Sequence, residues 1–529
     1  MKLSRGNALP WQNFHLFADG LAAECDEVIA NERLLKAARL FKPDVFIGDL
    51  MESCFVVLGE RAFSSSSSSP SIPIPPRVAI HNGPVITPMF DAAGFDLLGR
   101  GWGIPAQLAS VPTFGAGLVP PFSLSKRVLN LAHFLGNSAH DYFRMRPVLH
   151  ALHRRHGVPF KGDGRSSQRE ILAAKQRDAL LVLQGDWAID WPRPMPPATL
   201  VAGPVMPGPA KPLPEELRNW IEEAQKAKEQ IIYTALGSTF QLTPDKSKEI
   251  VRALHKAAPR ARIMIKLSDL DLPAEAEREL REELSPDRGP QRLLISKWLP
   301  QNDLLGAPGG AVSLYLTHGG ISSLSEATYH GVPVVALPQG AEQPDNAAKA
   351  QQRGFGIGLR RGAGPEELAA AVAEVLEDKG GKFSAAARAA AVRMRAGRPP
   401  AAAVIAAAIE RVAVASGAFE RDSSGSSSSS SNSSSISSSI SFSSSPPLPD
   451  PGWRMLSADQ PWAARHCLDA GAVLLAVVLG PPLLLLWGLR VAVSKVLSLN
   501  DNKKKSSSSS SSSRSLRSSN GAAEHAKLS

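Results

Sequence analysis

Short apolar runs alternate with longer helical patterns through the second half of the chain. Ile231–Leu236 and Arg262–Lys266 have the length of buried strands, whereas Pro214–Lys228 and Lys246–Ala257 have the length of surface helices. Further helical stretches, from Pro365 to Ala415, close this half. Strands that alternate with helices in this way predict an α/β domain built on a doubly wound parallel sheet.

Three apolar runs in the first half predict a second parallel sheet. They are Val45–Ile47, which ends at Gly48-Asp49, Arg77–Ile86 and Leu180–Leu183. We therefore predict two domains, residues 1–208 and 209–417, which face each other across a cleft. The serine run Ser64–Ser69 is interpreted as a surface insertion in the first of them.

A single uncharged stretch near the C-terminus predicts a membrane-spanning helix over residues 470–489. Its twenty residues, AGAVLLAVVLGPPLLLLWGL, are long enough as a helix to cross a hydrocarbon core about 30 Å thick. Pro481-Pro482 in its middle predicts a kink. Basic residues follow at once in the tail, 490–529, which places that tail in the cytosol. A buried core helix is the alternative.

Serine-rich tracts surround this stretch. Ser423 to Ser445 contains 18 serines in 23 residues, and Ser506 to Ser513 is entirely serine. Such segments lack the apolar surface needed to offset the entropy lost on ordering. We predict that residues 418–469 form a disordered linker and juxtamembrane segment.

The charge distribution argues against nucleic-acid binding. The chain of 529 residues carries a net charge of +10, but the last forty residues hold eight Lys or Arg and only two Asp or Glu. The body is therefore close to neutral and has no basic groove. Cys25, Cys54 and Cys467 are scattered and predict neither a metal site nor a disulfide framework.

The stretch from Trp298 to Asn346 carries the candidate chemistry. An apolar run, Ala311–Leu316, leads into Thr317-His318-Gly319-Gly320, and a helix is predicted from about Ser322 to Gly331. A strand followed by a Gly-rich turn and a helix N-terminus offers backbone N–H groups to a phosphate. The next predicted strand, Val334–Leu337, ends before Glu342 and Gln343, at the strand end where α/β folds bind ligands.

These motifs resemble the signature of UDP-glycosyltransferases, and most of all the membrane-anchored animal-type branch that includes the UDP-glucuronosyltransferases. The likeness covers about Ala22 to Leu489. The motifs that carry it are Trp298-Leu299-Pro300-Gln301, Thr317-His318-Gly319-Gly320, Glu326-Ala327, His330-Gly331-Val332-Pro333, Glu342-Gln343-Pro344-Asp345-Asn346, Asp186-Trp187, Pro192-Arg193-Pro194, the linker Pro209 to Pro214, and Leu236-Gly237-Ser238. The resemblance implies a GT-B-like pair of Rossmann-like domains.

The resemblance also assigns a part of the donor to each site residue. Trp298 and Gln301 would hold the base, Glu326 the ribose, and Glu342 with Gln343 the sugar. The diphosphate would contact His318, Gly320, Ser322, Ser323 and Ser238. The alternatives are a core tryptophan, a core histidine, a capping box formed by Ser323 and Glu326, and a solvated loop at Glu342. Relatives more often have Asn or Gly at the two serine positions and Asp in place of Glu342.

The catalytic machinery is less complete. Asp49 matches the aspartate that in the family orients a catalytic histidine, but that histidine has no counterpart, and His15 has no strand end to support it as a substitute. Met1 to Gly20 contains no signal-peptide pattern. We expect a start codon upstream of Met1, with on the order of 60 to 100 further residues. The alternative is a shortened, inactive donor-binding remnant.

The sequence thus predicts a UDP-sugar-dependent hexosyltransferase that needs no metal or other cofactor. It would act with inversion on a hydroxyl of a small lipophilic acceptor, with its body in the lumen of the endoplasmic reticulum. A soluble plant-type glucosyltransferase and a membrane-tethered UDP-sugar binder without activity are the rivals. The sugar, the acceptor and the oligomeric state stay open.

Overall fold

The computed structural model describes eleven stretches of the chain, all within one compact unit that spans Met1–Cys467. These stretches are residues 23–49, 53–63, 75–81, 112–140, 143, 146–158, 178–191, 199–237, 242–284, 292–396 and 399–415.

The first described sheet has four parallel strands in the order β1-β2-β3-β4. The strands are β1 (Phe46–Asp49), β2 (Arg77–His81), β3 (Asp178–Leu183) and β4 (Thr199–Val201). The helices of this part of the chain include α1 (Glu32–Phe41), α2 (Ser53–Phe63), α3 (Leu124–His140) and α4 (Arg146–Arg155). Since all pairs are parallel, the carboxyl ends of the strands lie at one edge of the sheet.

The second described sheet has six parallel strands. They are β5 (Ile231–Ala235), β6 (Arg262–Lys266), β7 (Leu293–Ser296), β8 (Val312–Thr317), β9 (Val334–Ala336) and β10 (Gly356–Gly358). Their spatial order is β10-β9-β8-β5-β6-β7. The chain therefore builds outward from β5 in one direction and from β8 in the other. The topological switch point lies between β5 and β8, where ligands bind in open α/β sheets.

Helices cover both faces of the second sheet. They are α5 (Glu215–Lys226), α6 (Pro244–Ala257), α7 (Ala274–Leu284), α8 (Gln301–Leu305), α9 (Ile321–His330), α10 (Gln343–Arg353), α11 (Pro365–Glu377) and α12 (Lys382–Arg395). Along β5, Ile231 and Tyr233 pack into one core cluster, whereas Ile232 packs into the cluster on the opposite face. Because both faces are buried, the strand is apolar at every position and does not alternate.

The two parallel sheets confirm the predicted pair of Rossmann-like domains. The predicted strands and helices of the second half recur within one or two residues of their expected bounds. The last described helix, α13 (Ala401–Ala415), follows the second sheet in sequence but packs against the first sheet. Its Ile405 lies beside Val78 and Val182. The domain boundaries at residues 208 and 417 stay predictions.

Several sequence expectations fall on residues that the structure leaves undescribed. The predicted span 470–489, the serine tracts, Ser238 and His15 all lie outside the described stretches. Within those stretches, no helix combines the length and the apolar character required to cross a bilayer.

One expectation about the cysteines is wrong. Cys25 is fully buried in the cluster formed with Ile29, Val57 and Leu152, and it is disulfide-bonded. Sequence spacing gave no sign of this bond, because the three cysteines form no recognisable motif.

Candidate functional site

The switch point of the second sheet is lined by glycines that leave room for a histidine. His318 follows β8, and the glycines Gly237 and Gly320 stand on either side of its ring. A Cβ atom on Gly320 would lie 2.5 Å from His318 Nε2, and one on Gly237 would lie 3.0 Å from the same atom. Gly320 is also the N-cap of α9 and offers no side-chain cap to the first turn.

His318 is not a fully hydrogen-bonded core residue. Its Nδ1 atom is buried and has no hydrogen-bond partner among the described residues. Burial, with a further contribution from the positive charge of Lys266, lowers the pKa of His318 to about 4. The ring is therefore neutral at neutral pH, and it can donate one N–H to an anion without bringing a charge of its own.

A hydrogen-bond network fixes the start of α8 against α9. Gln301 Nε2 donates to Glu326 and, at 3.2 Å, to Ser323 Oγ. Gln301 Oε1 accepts from the hydroxyls of Tyr315 at 2.9 Å and Tyr233 at 3.2 Å. The amide of Gln301 is thus fully engaged in holding Glu326, and in this state it has no group left for a base or ribose.

Glu326 is the member of this network that faces outward in part. Burial raises the pKa of its carboxyl, and the hydrogen bond from Gln301 opposes that shift. The capping box considered for Ser323 and Glu326 does not form, because α9 begins at Ile321 with Gly320 as its N-cap. The carboxylate is therefore available to hydroxyl donors.

Trp298 lies on an open surface after β7. Its side chain is 68% exposed, which excludes the core alternative. Ser296 Oγ donates to the Trp298 carbonyl at 2.7 Å and holds the turn. An exposed indole at the carboxyl end of this sheet offers a flat face for stacking.

The loop before α10 is built around Gln343. Its side chain is 4% exposed, and its Oε1 accepts from the backbone N–H groups of Gln339 at 2.8 Å and Gly340 at 3.2 Å. Glu342 is half-buried; burial raises the pKa of its carboxyl, and backbone hydrogen bonds, one of them from Ile321 at the start of α9, oppose the shift. This loop is therefore ordered against α9 and is not a solvated loop.

Asp345 was part of the quoted motif, but the sequence gave it no role. Its buried carboxylate accepts from the backbone N–H groups of Gly115 at 2.7 Å and Gly117 at 2.8 Å, in a loop of the first domain. Burial raises the pKa of Asp345 to about 6. Asn346 Nδ2 donates to the Gly319 carbonyl at 2.9 Å. The start of α10 therefore contacts both the first-domain loop and the glycine turn after β8.

The rest of α10 packs on the segment that follows β3. Lys349 Nζ lies 2.5 Å from Asp190 Oδ1, and each side chain is 1% exposed. Neither carboxylate oxygen accepts a well-aligned hydrogen bond, so the pair is held by charge and enclosed beside the Trp191 ring. Arg353 donates to the carbonyls of Trp187 and Ile189. Helix α10 therefore contacts both residues 112–121 and residues 186–191.

The remaining predicted site residues are dispersed. Asp49 ends β1 in the first sheet, where it is exposed. Ser322 is exposed on the first turn of α9, and Ser323 is buried against Gln301. No group of three or more His, Cys, Asp or Glu within the described stretches is arranged to hold a metal ion.

Comparison with known proteins agrees with this geometry. Residues 166–392 match the family model described as UDP-glucoronosyl and UDP-glucosyl transferase, a range that contains the whole switch-point site. The matched residues and the curated relatives support a UDP-glycosyltransferase of this type. The expected resemblance is confirmed.

Curated UDP-glycosyltransferases are moderately similar to the chain. Bovine UDP-glucuronosyltransferase 3A1 is 25% identical over 403 residues, covering 75% of this chain and 67% of the relative. Human 2-hydroxyacylsphingosine 1-beta-galactosyltransferase is 25% identical over 340 residues, covering 64% of this chain and 54% of the relative. The chain thus spans between half and two thirds of the length of these relatives.

Solved glycosyltransferases are among the structures that the chain matches, at low identity. Os79 from O. sativa in complex with UDP is 16% identical, with a TM-score of 0.48 that covers 76% of this chain and 85% of that one. Glycosyltransferase VinC in complex with DTDP is 17% identical, with a TM-score of 0.45 that covers 77% and 82%.

Gly320→Ala is expected to weaken UDP binding by roughly tenfold, because one hydrogen bond to a charged group is lost. The backbone of Gly320 (φ −61°) tolerates alanine, but the new methyl group displaces the His318 ring. Calorimetric titration with UDP measures the effect.

Gly364→Ala is the matched control for this variant. Gly364 is also an N-cap without a side-chain hydrogen bond, at the start of α11, and a Cβ atom there meets nothing within 4 Å. Equal losses of UDP affinity in both variants would show that the effect is not exerted through His318.

Proposed function

We propose that the chain binds a UDP-sugar at the switch point of the second sheet and transfers its hexosyl group to a hydroxyl of a small lipophilic acceptor. One observation carries the proposal. The unpartnered His318 Nδ1 stands beside the uncapped N-terminus of α9, at the edge where parallel α/β sheets bind nucleotides.

Each part of the donor has a residue suited to it. The exposed Trp298 ring would stack on the uracil, and Glu326, held by Gln301, would accept from the ribose hydroxyls. His318, the backbone at Gly320, Ser322, Ser323 and Ser238 would contact the diphosphate. Glu342 and Gln343 would bind the sugar hydroxyls. Gln301 therefore acts in this proposal as the residue that positions Glu326.

The transfer would be a direct displacement with inversion. The acceptor oxygen attacks the anomeric carbon as the bond from that carbon to the β-phosphate oxygen breaks, and the bonding electrons leave with UDP. The developing negative charge on UDP lies near the N-terminus of α9, whose dipole stabilises it. The acceptor proton passes to a base of the first domain, and Asp49, at the end of β1, is proposed to orient that base.

The location proposed for this activity is the membrane of the endoplasmic reticulum, with a single span over residues 470–489 and a cytosolic tail. The disulfide at Cys25 supports a lumenal body, because disulfides persist in oxidising compartments and are rare in the cytosol. Carbonate extraction of microsomes and protease protection of the body test this. Release by carbonate, or digestion without detergent, would contradict it.

Binding of UDP by the full chain is the decisive experiment. Calorimetry with wild type, Trp298→Ala and Trp298→Phe is expected to show a loss of roughly 1–3 kcal/mol in the alanine variant through lost stacking, with phenylalanine retaining most of the affinity. A folded chain that binds no UDP would overturn the proposal.

Transfer is then assayed with UDP-glucuronate, UDP-glucose and UDP-galactose against a panel of lipophilic alcohols and a hydroxylated sphingolipid. The last acceptor is included because one of the similar proteins is named a galactosyltransferase for such a lipid. UDP binding without transfer to any acceptor would favour the rival reading, a UDP-sugar binder without activity.

A further inference from the structure

The negative charge of a bound diphosphate must be balanced by positive groups of the proposed site. UDP brings a multiply charged diphosphate, but His318 is neutral at neutral pH because its pKa is lowered to about 4. The N-terminus of α9 contributes the equivalent of roughly half a positive charge. A diphosphate removed from water therefore calls for a cation in addition to these groups.

The sheet register points to the end of β6. Ile265 pairs with Thr234, and Ala235 pairs with Thr317, so β6, β5 and β8 end side by side. Lys266 is the last residue of β6, one position beyond Ile265. It therefore stands at the same edge as His318, the residue after β8, and Gly237, two residues after β5.

Lys266 acts on His318 through its charge. Burial is the larger cause of the lowered pKa of His318, and the positive charge of Lys266 adds to it. Within the described stretches, no carboxylate lies at ion-pairing distance from Lys266. By contrast, Lys297 after β7 pairs with Asp269 at 2.7 Å, and Lys349 pairs with Asp190. Lys266 is also half-buried, so a ligand can reach its ammonium group.

We propose that Lys266 is the cationic contact of the diphosphate, an inference that rests on the proposed function. Lys266 supplies the charge, and His318 supplies one directed N–H. A lysine suits this task because its ammonium is a compact charge with three donors on a flexible stem. Without ligand, this charge adds to burial, the larger cause of the lowered pKa of His318.

Nucleotide fragments separate this role from a structural one. Calorimetry compares uridine with UDP on the full chain in wild type, Lys266→Met and Lys266→Arg. Lys266→Met is expected to lose roughly 10–100-fold in UDP affinity, the loss of a charge-assisted contact, with uridine affinity changed by less than about twofold. Lys266→Arg is expected to keep most of the UDP affinity, since it keeps the charge.

Lys297→Met is the matched control, because this lysine follows the neighbouring strand but pairs with Asp269 and is largely exposed. It is expected to leave UDP affinity unchanged. The pKa of His318, followed by NMR, is expected to rise in Lys266→Met. A raised pKa with unchanged UDP affinity would show that Lys266 acts on the histidine alone and would overturn the inference.

Failure of the inference is distinct from failure of the proposed function. Trp298→Ala is expected to weaken uridine and UDP alike, whereas Lys266→Met weakens only UDP. Equal losses of uridine and UDP in Lys266→Met would overturn the role of the lysine and leave the UDP site in place. A folded wild-type chain that binds no UDP would overturn both.

Discussion

Asp190→Asn is expected to lower the free energy of unfolding by about 3–5 kcal/mol, the cost of leaving one member of a buried ion pair without its partner. Lys349 is 1% exposed, and its ammonium lies against Asp190 in a site closed by Trp191. An asparagine keeps the shape of the site and removes the charge. Urea unfolding of the full chain, followed by tryptophan fluorescence, measures the loss.

A double variant and a surface ion pair serve as controls for the effect of the buried charge. Asp190→Leu with Lys349→Met removes both charges and is expected to restore most of the stability, because apolar side chains of similar volume replace buried ion pairs at little cost. Glu366→Gln breaks a surface ion pair with Lys256. The side chain of Lys256 is 63% exposed and that of Glu366 is 77% exposed. Glu366→Gln is expected to cost less than about 1 kcal/mol. A double variant as unstable as Asp190→Asn would contradict the charge explanation.

Asp345 is expected to make the stability of the chain fall as the pH rises from about 4 to about 6. Its pKa is raised to about 6 in the folded state, so folding favours the protonated carboxyl. The stabilisation is fully present below the ordinary aspartate pKa and is lost as the pH passes about 6. A shift of about two pH units corresponds to an upper bound of roughly 3 kcal/mol.

The difference between wild type and Asp345→Asn isolates this effect. The free energy of unfolding is measured for both at intervals from pH 4.5 to 7.5, and the advantage of wild type is expected to shrink until about pH 6 and then stay level. Asp378→Asn is the control of opposite sign. Burial raises the pKa of Asp378, but hydrogen bonds from Ser384 and Phe383 outweigh it and lower the pKa. A wild-type advantage at Asp345 that grew with pH would contradict the assignment.

The fold could be predicted from the sequence wherever local pattern determines it. Strands such as β5 and β6 are continuous apolar runs because helices cover both faces of their sheet. The three-residue strands β4 and β10 were missed, since Thr199–Val201 and Gly356–Gly358 are too short to show a period. Nothing in the alanine-rich sequence of α13 indicates which of the two sheets it packs against.

The candidate site divides in the same way. Trp298, His318 and Glu326 could be predicted as site residues because they belong to one continuous motif with a recognisable order. Asp345 was passed over because its partner Gly115 lies 230 positions away, and no local pattern joins them. The role proposed for Lys266 depends on which strands are neighbours in the sheet. The order of strands cannot be predicted from the sequence of any single strand.

The packing of helix α10 limits how the two predicted domains of this chain can be exchanged for those of another protein. Its first residues include Gln343, proposed to bind the sugar, and its later residues, Lys349 and Arg353, are bound to the segment after β3. Replacement of residues 1–208 by those of another protein would remove Asp190, the partner of the buried Lys349, and the strands against which α13 packs. The unit that must be exchanged together is therefore larger than one domain, because residues 112–121 and 186–191 and helix α13 each pack across the predicted boundary.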